Sequence, residues 1–291
     1  MNTVAIIQAR MSSSRLPGKV LLDLAGQPML VHVVERTRRA RRVNTTVVAT
    51  TTETHDDAVA RLCAERGYPC YRGSLHDVLD RYYQAAKAFD AQVIVRITAD
   101  CPVIDPHVVD RTIEAFLGPS AADGQTPAAD FAANRLPPPW GRTLPIGLDT
   151  EVCSFAALER AWQEADQPFQ REHVMPYLYE GLPAKALQPL AEASSRPGSA
   201  WQVVRGVSPR GFRLAQLHHW PDYGRLRWTV DTPADLELLR QVYARFAGRA
   251  DFSWEEMLAL FENEPWLAAI NAAVQHKTAF DVDPRKTSQT P

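Results

Sequence analysis

The chain has 291 residues, 45% hydrophobic and 23% charged, with a formal net charge of -2. That balance excludes an overall disordered chain and gives no global basic footprint for long nucleic acid, while a local basic pocket for a small anion stays open. No run of about 18 apolar residues could span a bilayer and the N-terminus lacks the parts of a signal peptide, so a cytoplasmic protein with no membrane or nucleic-acid partner is expected.

Val4 to Ile7 reads as a first strand, and Met29 to Ala40 as a helix with Leu30, Val33, Val34 and Thr37 at helical spacing. A β-branched strand follows at Thr45 to Thr50. A helix with Ala58, Leu62 and Cys63 on one face comes next, capped near Thr54 or Asp56 and closed by Gly67. The rhythm repeats with a short strand around Cys70, a helix from Leu75 to Phe89, a strand from Gln92 to Ile97 and a helix from Pro106 to Leu117. Strand-helix alternation with continuously apolar strands implies a mostly parallel, doubly wound α/β sheet covered on both faces.

Gly118 to Pro139, rich in Ala, Pro, Gly and Asp, interrupts this rhythm as an excursion. Beyond it, "LPIGLDTEV" (144–152) reads as extended, Phe155 to Ala165 and Gln170 to Tyr179 as helices, and "LRWTV" (226–230) as a strand. "DTPADLELLRQVYARF" then supplies a cap, a first-turn proline and an apolar face. Two further helical patterns, "SWEEMLALFE" and "PWLAAINAAVQ", precede a polar end from about Asp281 that is expected to be disordered. The pattern divides the chain into an α/β unit (1–246, with the excursion and the segments after it, 119–215, inside it), a helical extension (247–280) and a tail (281–291). Trp254, Leu258, Trp266 and Ile270 are read as core residues of that extension, with an interface as the alternative.

In open parallel sheets, ligands sit beyond the carboxyl ends of the strands. Three unusual segments fall there: residues 9–19, "RGS" (72–74) and "TADCP" (98–102). The first sets Arg10, Arg15 and Lys19 among Ser12, Ser13 and Ser14, a donor density suited to several phosphates, with Pro17 and Gly18 to turn the chain. It is no Walker loop, because Ser13 and Val20 stand where a glycine and a hydroxyl would be needed. The bland alternative is a solvated basic loop. Asp100 and Asp231 each follow an apolar run and could hold Mg²⁺ against nucleotide phosphates. Asp231 could equally be a helix N-cap, and Asp100 a turn residue. The cysteines 63, 70, 101 and 153 lack zinc or disulfide spacing, and Cys101, with no histidine adjacent to activate it, reads as a passive side chain.

Together "IIQARMSSSRLPGKVLLDLAGQPML", "YRGSLHDVLDRY", "VRITADCPVIDP", "GLDTEV", "REHV" and "RWTVDTPADLELL" resemble the cytidylyltransferases that activate acidic sugars. The resemblance is to the acylneuraminate and 3-deoxy-manno-octulosonate cytidylyltransferase family, in the branch named for spore-coat polysaccharide biosynthesis protein F, and runs from Val4 to about residue 245. It implies that Arg10, Ser14, Arg15 and Lys19 bind the CTP phosphates, with Ala9 among the nucleotide-binding residues and Arg15 and Lys19 steadying the departing pyrophosphate, and that Asp100 and Asp231 hold Mg²⁺. It places Gly73, Ser74, Arg96 and Thr98 toward the cytidine, and Asp149, Glu151, Arg171, Glu172 and His173 around an acidic sugar; capping and packing are the alternative for Glu172 and His173. A homodimer is implied as well. The anomeric hydroxyl would attack the α-phosphorus in line, giving a CMP-sugar and pyrophosphate. Competing readings are transfer to a sugar phosphate, polyol phosphate or phosphonate, with Arg135 and Arg142 as extra cations; a glycosyltransferase, for which a convincing DxD is missing; and a nucleotide sensor.

Overall fold

The computed structural model describes residues 1–118, 127–189 and 200–275. The expected tail at 281–291 and parts of the excursion and the helical extension lie outside the described residues.

Apolar residues alternate across the first strand, β1 (Thr3–Gln8): Val4 and Ile6 enter one core cluster while Ala5 and Ile7 enter the other, so both faces of the strand are buried. This two-sided burial is what the continuous apolar run encodes. Two tiny strands, β2 (Asp23–Leu24) and β3 (Gln27–Pro28), form a separate hairpin. The remaining strands are β4 (Thr45–Thr51), β5 (Cys70–Gly73), β6 (Val93–Thr98), β7 (Phe131–Ala133), β8 (Glu151–Ser154), β9 (Gln188–Pro189), β10 (Trp201–Val207) and β11 (Arg213–His219). They join β1 in one sheet of nine, in the order β5-β4-β1-β6-β8-β7-β11-β10-β9. The four strands from β5 to β6 are mutually parallel; beyond them β8 and β10 run opposite to the rest. The sheet is therefore mixed but mostly parallel, as expected.

One face carries α1 (Met29–Thr37), α2 (Asp57–Arg66) and α4 (Pro106–Leu117). The other carries α3 (Val78–Ala88), α5 (Phe155–Glu164), α6 (Pro168–His173) and α7 (Pro176–Tyr179). A third apolar cluster gathers α8 (Pro233–Arg245) and α9 (Trp254–Asn263) around Trp228. The C-terminal helices are thus core material: Trp254 and Leu258 are buried, whereas Trp266, against expectation, is 49% exposed and lies under the Arg245 guanidinium.

Several elements differ from the sequence reading. The excursion contributes a sheet strand, β7, only three residues long and so below the length at which alternation can be read. The third helix begins at Val78, not Leu75, because the Asp77 side chain accepts from Asp80 N at 2.8 Å and fixes the start there. The helix expected from Gln170 to Tyr179 is two short ones, since Val174 adopts φ +72° and Pro176 supplies no N–H. "PWLAAINAAVQ" forms a 3-10 segment, Pro265–Ala269, followed by turns. "LRWTV" is extended but joins the fold through a single bridge, Arg227 opposite Ile146. Ile146 N donating to Leu226 O and Trp228 N donating to Ile146 O make that bridge, and beyond it Val230 N donates to Asp100 O in a loop. Gly147, at φ +108°, makes this approach possible, for a Cβ there would stand 2.6 Å from the Trp228 carbonyl carbon.

Candidate active site

Gln8 and Thr98 face each other at the carboxyl ends of β1 and β6, and the chain beyond each turns outward around a cleft of about 740 Å³. After β1 the chain doubles back tightly. Met11 O accepts from both Ser13 N and Gly18 N at 2.9 Å, and Gly18 sits at φ +70°, a conformation that costs an L side chain about 1–2 kcal/mol. The loop is anchored from outside by Asp56, fully buried, which accepts from Met11 N at 2.7 Å and from the Thr51 hydroxyl. Asp56 was read as a possible helix cap; it makes no cap hydrogen bond and holds the basic loop instead.

That fold-back drives Lys19, at the start of a 3-10 turn (Lys19–Leu21), into the protein until it is 8% exposed. Its Nζ donates to Asp100 Oδ2 at 3.0 Å, Asp231 Oδ1 at 2.9 Å and Val230 O at 2.8 Å. Residues 100 and 231, far apart in sequence, are stitched together by the main chain as well: Asp100 O accepts from Val230 N at 2.8 Å and from the Thr229 hydroxyl at 2.9 Å. Arg15 adds an ion pair to Asp231 Oδ1 and Arg227 one to Asp231 Oδ2, each at 2.9 Å. Burial favours the uncharged form of both Lys19 and Asp231, yet the mutual charges win. Lys19 is held above its ordinary value by Asp100 and Asp231, and Asp231 is held down to about 2 by Lys19, Arg15 and Arg227. Asp231 is not the cap of α8. Thr232 is, in a capping box with Asp235.

Ala9, Arg10, Ser14, Arg96 and Thr98 line the same cleft. Thr98 donates its hydroxyl to Asp100 Oδ1 at 2.5 Å, orienting that carboxylate. Arg96 pairs with Glu151 and donates to Gln8 at 3.2 Å; burial opposes its charge, but Glu151 holds the guanidinium firmly protonated. Asp149, Glu151, Glu172 and His173 line the cleft as well, and Glu151, Arg96, Arg135 and His173 lie close enough to act on one another electrostatically. Asp149 is engaged by Arg142 at 2.5 Å. His173 Nε2 and Arg135 Nε are buried there with no hydrogen-bond partner among the described residues. Burial, with Arg96 and Arg135 nearby, lowers the His173 pKa and keeps the ring neutral, while Glu172 and Glu151 oppose this. The strained Val174 that ends α6 lies directly after His173.

Three of the expected residues do not line the cleft. Gly73 ends β5 at the sheet edge and packs on Tyr71 and Arg81, while Ser74 caps the following turn, its Oγ accepting from Asp77 N at 3.0 Å. Arg171 is consumed by structure: it clamps the Asp77 carboxylate with Nε and Nη2 and donates to Trp162 O at 2.7 Å, tying α6 to the start of α3. Conversely, Arg81 and Arg227 were passed over. Arg81, 1% exposed on the inner face of α3, lines the cleft and reaches Ser74 O at 2.7 Å; Arg227 is a charge inside an apolar run. A cation where the pattern demands a hydrophobe was the signal in both cases. Burial and Asp100 push the Cys101 thiol well up, which suits a passive side chain rather than a nucleophile.

The cytidylyltransferase family profile matches residues 4–192. The chain is 29% identical to the spore coat polysaccharide biosynthesis protein SpsF of Bacillus subtilis, over 89% of this chain and 94% of that one. It is 30% identical to the 3-deoxy-manno-octulosonate cytidylyltransferase of Anaeromyxobacter sp. (strain K), over 84% of this chain and 98% of that one. A cytidylyltransferase from Leptospira borgpetersenii superposes with a TM-score of 0.76 at 28% identity, covering 95% of this chain and 100% of the other. With a basic turn and two strand-end carboxylates gathered at one cleft, and a profile spanning the parallel half of the sheet, the chain belongs to the cytidylyltransferase family, nucleotidyltransferases that use CTP.

Proposed function

We propose that this enzyme transfers CMP from CTP to the anomeric hydroxyl of an acidic sugar of the ulosonic or nonulosonic type, releasing pyrophosphate, in surface polysaccharide synthesis. The observation that carries the nucleotide half of this reading is the convergence of Lys19, Asp100 and Asp231 within 3.0 Å of one point. Ala9, Arg10, Ser14 and Arg15 extend that point into a phosphate cradle, where Arg15 and Lys19 counter the charge that develops on the leaving pyrophosphate. The donor set fits Mg²⁺: two hard carboxylates already share one cation, and this metal usually takes one or two carboxylates and completes its shell from phosphates and water. When bound, Mg²⁺ would offset phosphate charge and polarise the α-phosphoryl group. Arg96 and Thr98 would shape the floor between the nucleotide and the acceptor.

The acceptor end favours a monoanionic sugar over a phosphorylated one. Of the two candidate extra cations, Arg142 is occupied by Asp149, whereas Arg135 keeps a buried Nε with no hydrogen-bond partner among the described residues. A single guanidinium matches one carboxylate. Asp149, Glu151 and Glu172 would accept from sugar hydroxyls, and neutral His173 would offer one more polar contact. The form we propose is a homodimer in the cytoplasm. Among the described residues no helix is long and apolar enough to cross a membrane.

Pyrophosphate release measured for each nucleoside triphosphate against a ulosonic acid, a nonulosonic acid, a sugar 1-phosphate and a polyol phosphate tests this reading. Release with CTP and an acidic sugar is expected. Release only with phosphorylated acceptors would transfer the enzyme to the other acceptor class, and silence with every acceptor despite CTP binding would favour a sensor.

A further inference from the structure

The segment after α8 touches both aspartate-bearing loops. On one side, Trp254 N donates to Asp105 Oδ2 at 3.0 Å, and the Arg36 guanidinium bridges Ile104 O at 2.7 Å to Ala250 O at 2.7 Å and Phe252 O at 2.9 Å, so residues 250–254 are clamped to the loop that follows Asp100. On the other, Asn271 lies 5% exposed and its Nδ2 donates to Asp235 Oδ1 at 2.9 Å and to Arg227 O at 3.1 Å. Both partners are acceptors, so the amide nitrogen and both of its protons must face them.

Asp235 is fully buried at the start of α8. Its Oδ1 has two donors, Asn271 Nδ2 and Arg227 Nε at 2.8 Å; its Oδ2 serves Arg227 Nη2 at 3.1 Å, Asp231 N at 3.0 Å and Thr232 N at 2.9 Å. The same Arg227 Nη2 reaches Asp231 Oδ2 at 2.9 Å. A relay therefore runs Asn271, Asp235, Arg227, Asp231. We infer that Asn271 is a positioning residue for Asp231, and that the C-terminal segment completes the nucleotide–metal end of the cleft rather than only covering the core.

Without the amide, Asp235 Oδ1 keeps one donor in a buried place, and the guanidinium that serves two carboxylates is drawn toward Asp235 and away from Asp231. The inference rests on the proposed role of Asp231, and the test separates the two. Calorimetric affinities for CTP are measured with Mn²⁺ and with EDTA, for the wild-type protein, Asn271→Leu and, as a control that loosens the same segment without entering the relay, Trp266→Ala. The metal should tighten CTP binding in the wild type. In Asn271→Leu that tightening should shrink by about tenfold while metal-free CTP binding stays within about twofold, since partners of metal-binding groups commonly govern metal affinity on this scale. Trp266→Ala should match the wild type.

A purely structural role would lower the number of competent sites in both variants and leave the metal increment alone, which overturns the inference. So does an unchanged increment in Asn271→Leu. Should Asn271→Leu fold poorly, Asn271→Ser carries the same expectation in the same direction. A wild-type protein in which Mn²⁺ leaves CTP affinity unchanged overturns the metal assignment of Asp231 itself, a different outcome from either.

Discussion

Where Lys19 meets Asp231 in the cleft, both charges are answered inside the chain: Lys19 Nζ has three acceptors, and Asp231 has Lys19, Arg15 and Arg227. In the part proposed to hold the acceptor, Arg135 Nε and His173 Nε2 are buried with no hydrogen-bond partner among the described residues. A preorganised ion network needs little rearrangement when charge develops on a phosphate, whereas a buried unsatisfied donor or acceptor costs about 1–3 kcal/mol until something fills it. The contrast separates a part of the site that is finished in advance from a part that its ligand completes. On the proposed function, the first would serve the nucleotide and the second would be where the choice of acceptor is made.

Breaking the finished part should have the larger effect. Lys19→Ala removes the cation that both aspartates share, and kcat/KM should fall by roughly 10²–10³, the loss of about 2.7–4 kcal/mol expected for a group aimed at developing charge. Steady-state pyrophosphate release checks this, and a change of less than about threefold would mean that Lys19 is structural. At the other end, Arg135→Met should raise KM for an acidic sugar by about tenfold or more, the scale of one charged hydrogen bond, with KM for CTP nearly unchanged. Equal shifts in both constants would erase the distinction between the two ends.

Smaller effects sharpen the picture. Gly18→Ala forces a side chain into φ +70° at the turn that presents Lys19, and chemical denaturation should report a loss of about 1–2 kcal/mol. The smallest effect concerns pH. Since the His173 pKa lies below 6.5 in the fold, the unfolded chain takes up that proton first, and stability contributed by the neutral ring is lost as pH falls from 6.5 through the folded value. Urea unfolding between pH 8 and pH 5 should therefore show a shallower acid decline in His173→Gln than in the wild type. Only part of the slope should vanish, because burial also lowers His32 and His218.

The parallel half of the sheet was legible because two-sided burial writes itself as apolar runs such as Val93 to Ile97, and because capping residues such as Ser253 and Thr232 mark helix starts. The phosphate end was legible for a related reason: a strand end followed by clustered cations is a local pattern. Arg171 misled because neighbourhood in a motif says nothing about direction; its side chain points back to Asp77 to fasten two helices. "LRWTV" misled because composition fixes an extended backbone and not its partner, which here is a loop rather than a ladder. Asn271 stayed hidden for want of any local sign: its role exists only once Asp235 and Arg227, far away along the chain, are brought into contact with it.

The most direct test of the central claim compares CTP with CMP as ligands. If Lys19, Asp100 and Asp231 serve one triphosphate, Lys19→Ala should weaken CTP binding at least about tenfold, one charge-assisted contact, and CMP binding by less than about twofold in calorimetry at fixed Mg²⁺. Equal weakening of both ligands, or of neither, would contradict the account, because the lysine would then be reading something other than the phosphates that CTP has and CMP lacks.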